Sequence, residues 1–334
     1  MGPATTGRAV AALARLALAA ALAAALPAAA QLSGAANEAN TRGAQLGQRG
    51  DLDGALREFS RVIELAPESP TGWYNRGLVR RDQGDCGSAA GDFSKVLERD
   101  PRHFGALYHR GNCMQALGDI GAAVADYTRV IELPGRVEGR FHAHRARGDA
   151  LRRSGALEQA LADYTRVAEL RADTTVLRSR AWVNLYLGRW KEAFDDAARF
   201  LREGQGKEAA SPYVALVGHI ALRRLGGRAE ADAFLDEWAK RFNAKTWPAP
   251  VLRHLRGTLN AKDLVSAAGT PGETTEAQVY IGVGLLLANE RAQGVKVLKG
   301  VLERGEPQYW EYDLAFYELR RLGEVSGPIQ RPRR

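Results

Sequence analysis

The chain has 334 residues, 45% of them hydrophobic, and a formal net charge of +8 at pH 7. That length can bury several cores, and a content of two cysteines excludes a small disulfide-stapled scaffold. The positive charge comes from arginines spread along the whole chain in alternation with Asp and Glu, which reads as a solvated helical surface and excludes a nucleic-acid footprint.

Residues 1–30 read as a segment outside the fold. Arg8 opens a basic region, an Ala/Leu run from Ala9 to Leu26 follows with Arg15 inside it, and Pro27-Ala28-Ala29-Ala30 places small residues before Gln31. This is the pattern of a secretory signal peptide, with cleavage expected after Ala30 and a periplasmic or secreted product. The alternative is an uncleaved anchor, since the run approaches the ~18 residues that begin to span a bilayer. No cysteine near Ala30 could accept a lipid, and no second apolar run suggests a membrane span after removal. The mature charge would be +6, without Arg8 and Arg15.

Beyond residue 31 the chain repeats itself. Trp73-Tyr74-Asn75-Arg76-Gly77 answers to Leu107-Tyr108-His109-Arg110-Gly111, and at the same offset Gly84-Asp85 answers to Gly118-Asp119, Ala89 to Ala123 and Phe93 to Tyr127. Repeats are expected at 36–69, 70–103, 104–137, 141–174, 174–207 and 211–244, the last recognisable chiefly by Gly226. In the first four, a glycine at position 8 and an alanine at position 20 sit where two helices cross, while the fifth keeps Ala181, Gly188 and Ala193 but lacks the aromatic at position 24. Only small side chains allow that approach, and the aromatic at position 24 fills the space beside them. Gly84 and Gly118 should end the first helix of their repeats, where a left-handed backbone favours glycine. No strand or hairpin pattern interrupts the helices.

A period of 34 is that of the tetratricopeptide (TPR) helix pair, and on these residues the chain is identified as a member of that repeat family. The resemblance implies an all-α solenoid, a TPR superhelix of helix-turn-helix units over 31–246. It also implies that positions 2, 5, 9 and 12 of each first helix line a protein-binding groove. Those positions bring Tyr74 and Arg81 from the second repeat and Tyr108, Asn112 and Gln115 from the third. His142, Arg145, Asp149 and Arg152 come from the fourth, and Arg178, Trp182 and Leu185 from the fifth, with Tyr186 at the edge. Tyr, Trp and Arg are the residue types that carry interface energy.

Residues 247–323 depart from the plain repeat. Trp247-Pro248-Ala249-Pro250 forms an extended corner, because each proline disfavours helix in the residue before it. Short helices are expected at 251–256 and 261–268, then a TPR-like pair at 276–288 and 292–302 with Gly282 at its crossing. A last helix, 309–322, would cover the exposed end of the stack, and 324–334 reads as disordered. Trp247-Pro248, Tyr280-Ile281-Gly282 and Glu311-Tyr312-Asp313-Leu314-Ala315 leading into Glu318-Leu319-Arg320-Arg321-Leu322-Gly323 resemble the NlpI-type TPR proteins of the bacterial envelope. That resemblance implies a periplasmic adaptor that presents peptidoglycan hydrolases to one another or to a tail-specific processing protease. Proteins of that type typically carry a lipid on an N-terminal cysteine, which this sequence lacks.

Chemistry has few candidates. Cys86 and Cys113 fall on the same side of neighbouring helices, where a disulfide would close a loop of about 26 residues worth roughly 3 kcal/mol; the alternative is two packed thiols. His109 and Cys113 stand four residues apart on one helix, but no further ligand at a recognised spacing suggests a metal site, and no cofactor motif occurs. The expected function is a non-enzymatic scaffold for protein partners. The alternatives are an assembly factor for secretion or polysaccharide machinery, or a hydrolytic enzyme dependent on His109 or Cys113. The 247–322 end is the competing surface, for a partner or for homodimerisation.

Overall fold

The computed structural model describes residues 32, 34–134, 137–170 and 174–329. The expected signal peptide lies outside them. Among the described residues there are seventeen α-helices and no strand. They form two compact units, one up to Leu117 and one from Gly118.

The first unit contains α1 (Gly34–Gln48), α2 (Leu52–Leu65), α3 (Pro70–Asp82), α4 (Cys86–Arg99) and α5 (Phe104–Ala116). The crossings fall where the small residues do. A Cβ on Gly43 would lie 2.8 Å from the Phe59 ring, and one on Gly77 would lie 2.8 Å from Phe93. Helix ends follow the expected chemistry. Gly84 takes φ +86°, and Asp51 and Asp85 accept the backbone N–H of Gly54 and Ser88 to start α2 and α4.

The second unit begins with α6 (Ile120–Glu132), which Asp119 caps by accepting the Ala122 N–H. It continues through α7 (Val137–Ser154), α8 (Leu157–Leu170), α9 (Thr174–Leu187), α10 (Trp190–Glu203), α11 (Ser211–Arg224) and α12 (Arg228–Ala239). Gly148 meets Tyr164, where a Cβ would be 2.9 Å from the ring, and Gly218 meets Phe234 at 2.5 Å. The second contact fixes the register of the 211–244 repeat, which the sequence alone marked mainly by Gly226. After Trp247 come α13 (Ala249–Leu255) and α14 (Ala261–Ala267). The pair α15 (Pro271–Leu287) and α16 (Arg291–Arg304) crosses at Gly282 and Leu298, and α17 (Trp310–Arg321) closes the chain. Residues 324–329, expected to be disordered, pack instead. Glu324 pairs with Lys299 at 2.9 Å, and Val325 and Ile329 lie against the core.

The arginines correct the picture of a solvated surface. One position before the small residue at the crossing (Gly77, Gly148 or Ala181), an arginine on the first helix reaches an acid sixteen residues on: Arg76 to Asp92 (2.8 Å), Arg147 to Asp163 (2.8 Å) and Arg180 to Asp196 (2.9 Å). The three aspartates are no more than 5% exposed. Arginines at this repeat position also donate backwards to the preceding helix, Arg76 to Ser60, Arg110 to Ser94 and Arg147 to Thr128. Burial alone would raise the Asp163 carboxyl. The hydrogen bonds from Arg147 and His144 outweigh it and hold the group below the usual carboxylate range. At Asp196 burial prevails over Arg180 and Asn184, and the carboxyl is raised.

Asp92→Asn strands Arg76 and Arg80, both of which bond Asp92. The expected loss is about 3 kcal/mol in urea unfolding, since removing one partner of a buried pair leaves an uncompensated charge. Gly77→Ala should cost about 1–3 kcal/mol through overpacking against Phe93.

Candidate protein-binding faces

In the first unit the expected groove residues divide between core and surface. Tyr74 is 6% exposed and packs inward against Phe93, His103 and His109, so it is a core residue; Gly105 leaves the room its ring needs. His109 is also buried. Its Nδ1 accepts from Arg81 Nη1 at 2.7 Å, which fixes the imidazole as neutral. Burial, then the Arg81 charge, press its pKa down from 6.5 to about 3. Arg81 donates its other nitrogens to Asp82 (2.7 Å) and stays half-buried on the face. Tyr108, Asn112 and Gln115 are half-buried beside it on α5, with Tyr108 stacked parallel on Phe104.

Cys86 and Cys113 are brought together, but as free thiols in hydrogen-bond contact rather than as the disulfide the spacing allowed. Burial, and then the contact with Cys86, push the Cys113 thiol up to about 12.

In the second unit the face is already occupied. Helix α17 lies against α9 and presents Trp310, Asp313, Tyr317 and Arg321 along one stripe. Arg152 donates to Asp313 at 2.6 Å and stacks over the Trp310 ring at 3.8 Å. Trp182 packs on Trp310, and the Tyr186 hydroxyl donates to the Trp310 carbonyl (2.7 Å) while its ring stacks on Tyr317. Arg321 donates to the carbonyls of Leu185 and Tyr186, and Arg224 reaches Glu318 at 2.6 Å. Trp182 and Tyr186 are each 3% exposed, which removes them from the free surface. Asp149 accepts from the buried Tyr164 hydroxyl at 2.6 Å, so it braces the core. His142 is exposed, and Arg145 and Arg178 are half-buried. The last helix therefore covers open apolar surface, as a cap does, but across the first-helix face as well as against α15 and α16. Positions 310, 313 and 317 share one helical face; that spacing was the available signal, though it names no docking partner.

The tetratricopeptide repeat family model matches residues 41–85, 74–137 and 114–175. Over this stretch, less than half of the chain, the helix pairs carry the tetratricopeptide repeat pattern. A TPR protein structure from Parabacteroides merdae is similar over 86% of this chain and 100% of its own, at 15% identity and a TM-score of 0.52. PilF of Pseudomonas aeruginosa is similar over 62% and 92%, at 15% identity and 0.50. A double mutant of MamA RS-1 is similar over 54% and 99%, at 18% identity and 0.50. At these identities the likeness is one of fold. No curated protein matches the sequence. Among the described residues no cluster of His, Cys, Asp or Glu is placed to hold a metal, and no helix is long and apolar enough to cross a membrane.

His109 makes the stability of the fold pH-dependent. Its folded pKa lies below the unfolded value, so the unfolded chain binds the extra proton, and stability falls as pH drops from 6.5 towards about 3. Urea unfolding at pH 7 and pH 5 should show a loss of roughly 2 kcal/mol from this group, absent in His109→Gln.

Proposed function

We propose that this protein is an exported TPR scaffold whose first-unit face, at Arg81, Tyr108 and Asn112, holds a helical segment of a partner. The observation that carries this reading is α17. Within one chain, a TPR face built from Arg152, Trp182 and Tyr186 holds a helix by its aromatic and acidic stripe. Arg81 stands at the repeat position of Arg152, and Asn112 at that of Trp182. The partner segment would accordingly carry acidic and aromatic side chains, since Arg and Tyr gain most from such a surface.

The partners proposed are envelope proteins, with a peptidoglycan hydrolase and a tail-specific protease first. This part rests on the NlpI-type pattern across 247–323 and on the signal-like 1–30 segment. Mass spectrometry of the exported product should find Gln31 at its N-terminus; retention of Ala9–Leu26 would favour an anchored form.

The mature chain is immobilised beside an Arg81→Glu/Tyr108→Ala/Asn112→Ala variant of equal helicity, and envelope extract is passed over both. A hydrolase or protease held by the parent and lost by the variant supports scaffold and face together. Equal retention would move the site away from the first unit. If neither enzyme is retained, the envelope-adaptor reading fails and assembly of secretion or polysaccharide machinery takes its place.

A further inference from the structure

The second unit has an open cavity of about 290 Å³ between α9, α11, α15 and the start of α17. Trp182, Tyr213, Tyr309 and Trp310 wall it, and Glu276 and Glu311 line it. Both carboxyl groups belong to residues only 4% exposed. Their partners are neutral donors: Trp247 Nε1 to Glu276 at 2.6 Å, the Tyr213 hydroxyl to Glu276, and the Tyr280 hydroxyl to Glu311 at 3.0 Å. Among the described residues neither has a cationic partner, although buried charges are ordinarily paired. Burial, and then the neighbouring Glu276, push Glu311 up to about 8, as expected of two acids sharing one site without a counter-charge.

Two further features distinguish the place from a bare acidic cluster. Arg178 lines the same cavity, half-buried, and has no acidic partner among the described residues. Ser211, wholly buried between the lining residues Ala210 and Tyr213 in sequence, has a hydroxyl without a hydrogen-bond partner. The cavity thus combines two buried carboxyl groups without a counter-charge, an unpaired guanidinium group and aromatic walls. Aromatic faces attract cations, and a guanidinium group is shaped to take a carboxylate.

We propose that this cavity binds a small free amino acid, its ammonium group set against Glu276 and Glu311, its carboxylate against Arg178, and its side chain along the Trp182 and Trp310 rings. This would be a ligand site separate from the partner-binding face of the first unit. Occupancy would brace α17, because Trp310 and Glu311 belong to both the cavity and that helix.

The test is calorimetric titration of the full chain with L-alanine, L-leucine and L-phenylalanine, and with ethylamine and propionate as half-ligands. At least one amino acid should bind, more tightly than either half-ligand. Glu311→Gln and Glu276→Gln should each weaken it about tenfold or more, and Arg178→Gln should weaken the amino acid while leaving ethylamine unchanged. The amide in Glu311→Gln still accepts from Tyr280, so the fold should persist, as helicity and melting would verify; Arg178→Gln alters a half-buried residue and gives a second variant. Absence of binding by all three amino acids, or binding unaffected by both Glu→Gln changes, overturns the proposal. Ethylamine binding as tightly as the amino acids, with no effect of Arg178→Gln, also overturns it, leaving only an amine site.

Discussion

The close crossing of two helices at a glycine is the constraint from which the rest of the structure follows. At Gly77 and Gly148 a single methyl would strike the ring of Phe93 or Tyr164, so the helices meet at a distance that only these pairs permit. The crossing glycine and its aromatic are sixteen residues apart, and so are Arg76 and Asp92, Arg147 and Asp163, and Arg180 and Asp196. The ion pair is therefore the neighbouring rung of the same contact. Helices this close must bury the arginine beside the glycine, and a buried guanidinium needs an acid opposite. Hydroxyl groups at Ser60, Ser94 and Thr128 use the remaining donors and tie one helix pair to the one before.

Against this regular frame, the second unit treats its own first-helix face as a docking surface. Arg152, Trp182 and Tyr186 have the composition of an interface hot spot, and they act as one towards α17. Because the occupant is tethered, its local concentration is high and the face is removed from competition. The first unit retains the equivalent chemistry at Arg81, Tyr108 and Asn112, which is why the scaffold reading is directed there. The seat of α17 also explains the uncompensated groups nearby. Bringing Glu311 beside Glu276 buries two acids with only neutral hydroxyl, indole and backbone N–H donors, an arrangement that a purely structural docking would be expected to avoid.

The repeat was legible because it is periodic and local. Glycine at the crossing, aromatic at the gap and Gly-Asp at the turn each report a contact between adjacent helices, and Gly84 with Asp85 appear as a left-handed turn and an N-cap, as their types require. The site was less legible. Tyr74 has the residue type and position of a groove contact, yet its ring enters the core beside His109, where the small Gly105 leaves room for it. Arginines at position 7 look like any solvated charge until the acid sixteen residues on is seen to share their burial.

The sequence by itself determined the helix pairs and, up to the 211–244 repeat, their register and close crossings, because each depends on residues within one period of one another. Only the tertiary structure decided which face remains available, where α17 lies, and that Glu276 and Glu311 share a cavity with Arg178. Those contacts join elements far apart in the chain, such as Arg152 with Asp313. No periodic pattern encodes them, since a repeat specifies its neighbours, whereas the return of a distant helix depends on the whole surface it meets.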